Sequence, residues 1–202
     1  MARQSDTRQR MVAAARRLFR EHGYNGTALS DVLVESDAPR GSVYYHFPGG
    51  KEEIAAEVTV LHAHKTIATI DRAAETATTA TELIEAVVTE LRDELVASDY
   101  RQGCAVAPIV LEATLSSPAL HAAAQRGFGN VITTLARHLS ALDIAEDRAV
   151  ALATHTVVSF EGALILSKVM RSPDAFDAAI AGLIESIEGI ATERSTWKSD
   201  NK

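Results

Sequence analysis

A single cysteine, Cys104, leaves the chain without an internal disulfide, which fits a reducing compartment. Aromatic residues make up only 5% of the chain, so a site built on extensive stacking of flat dyes is disfavoured. No run of about 18 apolar residues occurs, and the start MARQSDTRQR carries charge with no apolar stretch behind it. Neither a membrane span nor a secretory signal is expected, and the expected location is the cytoplasm. Sustained apolar–polar alternation is missing, as is any internal repeat, so strands and repeat architectures are not predicted. Catalytic signatures are missing too: there is no G-x-S-x-G, no P-loop and no zinc-ligand spacing. His62 and His64, two residues apart, point to different faces of a helix, and Cys104 has no orienting motif for nucleophilic catalysis. No cofactor, no metal site and no enzymatic activity are expected.

What is present begins with charge. The net charge of −7 argues against a polyanionic partner until its distribution is read. Residues 1–51 hold eight Lys and Arg against five Asp and Glu, and the remaining 151 residues are ten charges negative. A basic head on an acidic body is compatible with nucleic acid, although a solvated arginine face on one helix produces the same count.

Helical periodicity runs through most of the chain and predicts an all-α protein of about nine helices. The first is expected over Thr7–His22, with Asp6 and Gln9 as a capping box, Gly23 as its stop, and Met11, Val12, Ala15, Leu18 and Phe19 as one core stripe. Arg16, Arg17 and Arg20 fall off that stripe and are either phosphate contacts or solvated. A long helix is expected from Lys51 into the early seventies, and Thr79 with Glu82 is a second capping box. Pro108 marks either a helix start or a kink within one, and Ser117-Pro118 marks a further helix start. Gly127 and Gly129 sit mid-helix, at about 1 kcal/mol each relative to alanine, which suggests close packing or room for a bound molecule. Residues 145–168 are apolar nearly all round and need cover on two sides. Ser172-Pro173 opens the last helix, and the polar tail from Glu193 is expected to fray.

Within this pattern the stretch TALSDVLVESDAPRGSVYYHF, Thr27 to Phe47, reads as two short helices joined by a tight turn. Thr27 is expected to cap the first, Asp37 to take left-handed geometry in the turn, and Pro39 to open the second. Gly41 permits close approach of a neighbouring helix or a sugar-phosphate strand. Arg40, Ser42, Tyr45 and His46 are expected to face outward, with Val43, Tyr44 and Phe47 packing inward. A short helix with donors on its outer face is what the major groove accepts, so this is a candidate helix-turn-helix.

LFREHGYNGTALSDVL and RGSVYYHFPGGKEEI, with Gly23-Tyr24, Thr27, Gly41, Tyr44, Phe47 and Lys51 in that order, resemble the TetR family of bacterial transcriptional regulators. QGCAVAPIVLEAT, SPALHAAAQRGF and FEGALILSKVMRSPDAF look like its LmrA/YxaF-like branch. The resemblance implies a DNA-binding domain over 1–50, with its recognition motif at 28–47 linked through helix 51–72. It also implies a ligand-binding and dimerisation domain over 51–202. Thr27, Tyr44 and Lys51 match phosphate-contacting positions, and Arg40, Gly41, Ser42, Tyr45 and His46 match the recognition helix. Where the family usually has Ala-Gly in the turn, this chain has Ser36-Asp37.

The expected partners are a palindromic DNA operator, a second copy of the chain, and a small, largely hydrophobic inducer that releases the repressor. The two apolar stripes of the penultimate helix suit an intersubunit four-helix bundle through Val157, Ser159, Gly162, Ala163, Leu166, Ile180, Leu183, Ile184 and Ile187. Candidate inducer-lining residues are Leu61, His62, Val87, Leu91, Cys104, Ile109, Glu112, Phe128, Ile132, His155 and Phe160, about half of which are expected to touch a ligand. A helical ligand-binding protein whose N-terminal unit meets a protein partner, and an enzyme using the C-terminal cavity, are the alternatives.

Overall fold

The computed structural model describes residues 2–200, with side chains described over 6–189. The described residues form nine helices and no strand: α1 (Ala2–His22), α2 (Leu29–Glu35), α3 (Val43–His46), α4 (Gly50–Thr76), α5 (Ala80–Ala97), α6 (Ala107–Ala113), α7 (Pro118–Ala141), α8 (Glu146–Met170) and α9 (Asp174–Asp200). The all-α expectation holds. Two compact units divide them. The first takes the chain up to Lys65 together with Arg101–Gly129, and the second takes Thr66–Tyr100 and the chain from Asn130 onward. Packing therefore does not divide at residue 50, because α6 and the first half of α7 join the N-terminal helices.

In the first unit, Met11, Val12, Ala15 and Phe19 of α1 are buried with Val32 of α2 and with Val43 and Phe47. Ile54, Ala55 and Val58 of α4 and Ile109 of α6 complete the same core. α1 starts earlier than expected. Asp6 lies inside it and meets Arg10 one turn on, at 3.6 Å, instead of capping its start. Gly23 stops the helix as expected, at φ +79°, with its N–H donating to the Phe19 carbonyl at 3.1 Å. Gly127 is also placed as expected, since a β-carbon there would meet Thr59 Cγ2 at 3.3 Å. Gly129 is not closely packed: it is exposed, with nothing within 4 Å of its β-carbon position.

The second unit is built on α5, α8 and α9, which pack on one another. The Thr79 side chain accepts from the Glu82 N–H at 3.1 Å, and Glu82 returns the bond to the Thr78 N–H at 2.7 Å. Leu83, Ile84, Val87 and Leu95 of α5 are buried, as are Leu152 and Leu164 of α8 and Phe176 and Leu183 of α9. The Phe160 and Phe176 rings lie 5.7 Å apart. By length and composition α8 is apolar enough to cross a membrane, yet one side of it is packed on α9 and α5. Its other side is open: Val158, Ile165, Leu166, Val169 and Met170 are all more than half exposed. The expected fraying of the polar tail is not seen in the backbone, which stays helical to Asp200. The tail's side chains, and residues 201 and 202, lie outside the described residues.

Candidate nucleic-acid interface

The turn between α2 and α3 is closed by the backbone. Asp37 takes φ 50°, the Ala38 N–H reaches the Leu33 carbonyl at 3.0 Å, and the Asp37 N–H reaches Val34 at 3.2 Å. That pair of bonds is a Schellman motif with aspartate at the left-handed position, which an Asp tolerates better than most residues. The cap of α2 is Ala28, one residue later than expected, and the Asp31 carboxylate accepts its N–H at 3.0 Å. Thr27 is instead 1% exposed, its hydroxyl donating to the Gly23 carbonyl at 2.9 Å, so its side chain offers no outer surface.

Pro39 does not open α3. The Ser42 N–H and hydroxyl both donate to the Pro39 carbonyl, at 2.9 and 2.6 Å, closing a tight turn that delays the helix to Val43. α3 is consequently a single turn, and only Val43 and Phe47, four residues apart, share its buried face. Tyr44, expected to pack inward, is 69% exposed for this reason, and Tyr45 is 67% exposed. Arg40 and Gly41 are exposed, and Gly41 meets nothing within 4 Å, so its missing β-carbon accommodates no neighbouring helix. Arg40 and Tyr44 have no hydrogen-bond or ion-pair partner among the described residues. The Tyr45 and His46 rings sit edge to face, 5.1 Å apart. At the start of α4, Lys51 Nζ lies 4.4 Å from the Tyr24 ring centroid. Burial lowers the Lys51 pKa, against the opposing pull of Glu112 and Asp31, and burial raises that of Tyr24, with Glu52 adding to it.

The arginines of α1 face inward to a degree their number does not reveal. Arg10 Nη1 donates to the Ser36 carbonyl at 2.8 Å, at the end of α2. Arg17 is ion-paired with Glu35. Arg16 Nε donates to His62 Nδ1 at 3.4 Å, and Arg20 Nε to the Gly103 carbonyl at 2.7 Å. Arg8 bonds Glu57 and Glu53 and the His46 carbonyl. The basic head is largely a set of internal struts, and the unengaged cation beside the exposed tyrosines is Arg40. Arg3 lies outside the described side chains. Sequence reasoning missed Tyr24 and Arg8. A usable signal existed for Arg8, which falls one turn before Met11 and Val12, on a stripe where a charge requires a partner.

A one-turn helix displaying Tyr44 and Tyr45, reached from a Schellman turn through the exposed Arg40, is compatible with the narrow element that a major groove accepts. Residues 11–58 match the family model of bacterial regulatory proteins of the tetR family, and residues 80–181 match that of the LmrA/YxaF-like C-terminal domain. An uncharacterized HTH-type transcriptional regulator of Mycobacterium tuberculosis is 36% identical over 84% of this chain and 88% of its own length. The HTH-type transcriptional regulator LmrA of Bacillus subtilis is 33% identical over 83% and 89%. A TetR regulator structure from Legionella pneumophila superposes with a TM-score of 0.78 at 20% identity, covering 88% of this chain and 95% of that one. The chain belongs to the TetR family. It is a DNA-binding transcriptional regulator and not an enzyme.

The remaining candidate residues of this TetR-family chain fall in different places. In the first unit, Cys104 and Ile109 are buried and Leu61 and Phe128 partly so, while Glu112 is exposed and its carboxylate accepts the Asn25 N–H at 2.6 Å. Cys104 Sγ lies 3.5 Å from His62 Nε2 and accepts from the Val106 and Ala107 N–H groups, each at 3.4 Å. Arg16 donates to Nδ1, so the ring proton sits on Nε2 and faces the sulfur. Burial, reinforced by Arg16, Arg20 and Lys65, pushes the His62 pKa down to about 3. In the second unit, Val87 is buried, Leu91, Ile132 and Phe160 are half-buried, and His155 is exposed. A shallow hollow of about 560 Å³ there is lined by Glu82, Glu85, Ala86, Thr89, Glu90 and Asp93, none of them an expected lining residue.

The expected dimer residues divide in a similar way. Ala163, Leu183 and Ile187 are buried within the chain's own packing, and Val157, Ser159, Ile180 and Ile184 are half-buried. Gly162 and Leu166 are exposed. The open face of α8 is therefore rotated from the expected stripe and runs through Val158, Gly162, Ile165, Leu166 and Val169.

Proposed function

We propose that this regulator is a homodimeric cytoplasmic repressor that binds a palindromic operator and is released by a small, largely hydrophobic inducer. In this reading α3 enters the major groove, with Arg40, Gly41, Ser42, Tyr44, Tyr45 and His46 toward the DNA and Lys51 on a flanking phosphate. Arg40 takes either a guanine edge or a phosphate. Thr27 serves from inside, holding the entry to α2. The carrying observation is the exposure of Arg40, Tyr44 and Tyr45 around a buried Val43–Phe47 pair.

One turn of helix supplies too little contact for an operator, so two copies are required, with recognition helices roughly 34–36 Å apart in successive grooves. The apolar face of α8 supports that, with Val158, Gly162, Ile165, Leu166 and Val169 at spacings of one helical side. Residues 1–50 act as the reading domain and 51–202 as the dimerising and inducer-binding domain. Release is a population shift, so the inducer has to favour the conformation that does not fit the operator.

Band-shift titration of the DNA upstream of the protein's own gene, at about 0.15 M salt where exposed charges are well screened, tests this. Retardation is expected, with Tyr44→Ala and Lys51→Ala weakening it for all sequences and Arg40→Ala also relaxing base preference if it reads an edge. No retardation by the wild type, or unchanged affinity in all three variants, sinks the docking.

A further inference from the structure

Arg8 distributes one guanidinium over three targets. Its Nε donates to the carbonyl of His46, the last residue of α3, at 3.4 Å. Nη1 pairs with Glu57, and Nη2 reaches Glu53 at 3.5 Å, both on α4. The guanidinium also lies over the Phe47 ring, 4.6 Å from its centroid. A single side chain from α1 thus touches the end of the recognition helix and the helix that follows it.

α3 needs such support. Four residues form too few backbone bonds to hold a helix without tertiary contacts, and the carbonyls of its last turn have no partner within it. Phe47 anchors one face by burial, and Arg8 occupies the open carbonyl at the same end. Lysine would not reproduce the arrangement, because the planar fork reaches a carbonyl and a carboxylate while stacking on a ring, and an ammonium does not. For Arg8 to turn to a phosphate it would have to give up its ion pairs with Glu53 and Glu57, leaving two negative charges unneutralised beside a polyanion, although Glu53 keeps the Gly49 N–H at 2.9 Å.

The geometry points to Arg8 as a positioning residue that fixes the end of the recognition helix on α4, with Glu57 as its partner, rather than as a phosphate contact. This rests on α3 being the groove-reading element. It carries an unusual sign. Removing an acidic group near DNA should strengthen binding through simple electrostatics. Removing Glu57 instead weakens it, because the fork loses its seat.

The test compares full-length wild type with Arg8→Met and Glu57→Gln on a duplex that the wild type selects from a random-sequence pool. Affinity is measured across salt concentrations, and amide hydrogen exchange is followed at His46 and Phe47. Both variants are expected to bind about tenfold more weakly, the equivalent of about 1.4 kcal/mol, with the salt slope unchanged. Exchange at the two amides is expected to quicken while α5 and α8 keep their protection. Glu57→Gln binding as tightly as wild type, or the Arg8→Met slope falling by about 0.9 as for a lost phosphate contact, overturns the proposal. Glu57→Gln carries the test alone if Arg8→Met does not fold. If the wild type selects no duplex, the groove reading fails separately, and exchange at His46 and Phe47 still decides the latch: unchanged rates in both variants overturn it.

Discussion

Arg16 donates to a histidine that the fold keeps neutral, and this has a measurable consequence. The ordinary His62 pKa of 6.5 is pushed down to about 3 by burial and nearby cations. Between those values the unfolded chain binds a proton that the native state refuses, so stability rises with pH across the window. The contribution of the neutral ring is complete above the unfolded pKa and is lost as pH falls toward the folded one, at up to about 1.4 kcal/mol per pH unit. Urea unfolding near neutral pH and near pH 5 is expected to show a wild-type loss about 2 kcal/mol larger than that of His62→Gln, which keeps an acceptor for Arg16 but does not titrate. Equal losses in the two proteins would contradict the neutral assignment. The sequence could not show this, because His62, Arg16 and Cys104 are brought together only by tertiary packing.

The helix signals that could be read from sequence were those whose partners lie within one turn. Thr79 with Glu82 works as expected, and so does Ser117, whose side chain accepts from the Leu120 N–H at 3.1 Å. Asp6 gave the same local signal and failed, since α1 continues past it and Asp6 pairs with Arg10 instead. Pro39 failed because a local preference for the first helical position lost to the turn that Ser42 closes. The two mid-helix glycines of α7 separate on tertiary grounds alone. Gly129→Ala meets no neighbour and is expected to gain about 1 kcal/mol from helix propensity. Gly127→Ala presses on Thr59, which is fully buried with its hydroxyl bonded to the Ala55 carbonyl at 2.9 Å. Thermal melts are expected to place Gly127→Ala at least about 1 kcal/mol below Gly129→Ala, and the reverse order would refute the packing role.

At the scale of the molecule, charge was legible in amount and not in availability. The positive head was visible in the sequence, but Arg8, Arg10, Arg17 and Arg20 are engaged within the fold. The open face of α8 was legible as a surplus of apolar residues, whereas its direction depended on which side α5 and α9 cover. If that face joins two copies, Leu166→Asp is expected to shift the protein from dimer to monomer in light scattering. It should also weaken operator binding by about a hundredfold or more, since two linked helices bind far better than one. A Leu166→Asp protein that stays dimeric would move the interface elsewhere.

The segment proposed to enter the groove separates buried positions that hold it from exposed positions proposed to read. Val43 and Phe47 are buried, and the Ser42 and His46 backbones are used in the turn and the latch. Arg40 and Tyr44 project outward, while Tyr45 is exposed but rests its ring on His46. The side chains of Arg40 and Tyr44 contribute little to the frame, so under the proposed reading specificity can be rewritten there. New residues at 40 and 44 should change which DNA sequence is chosen while the melting temperature stays nearly constant.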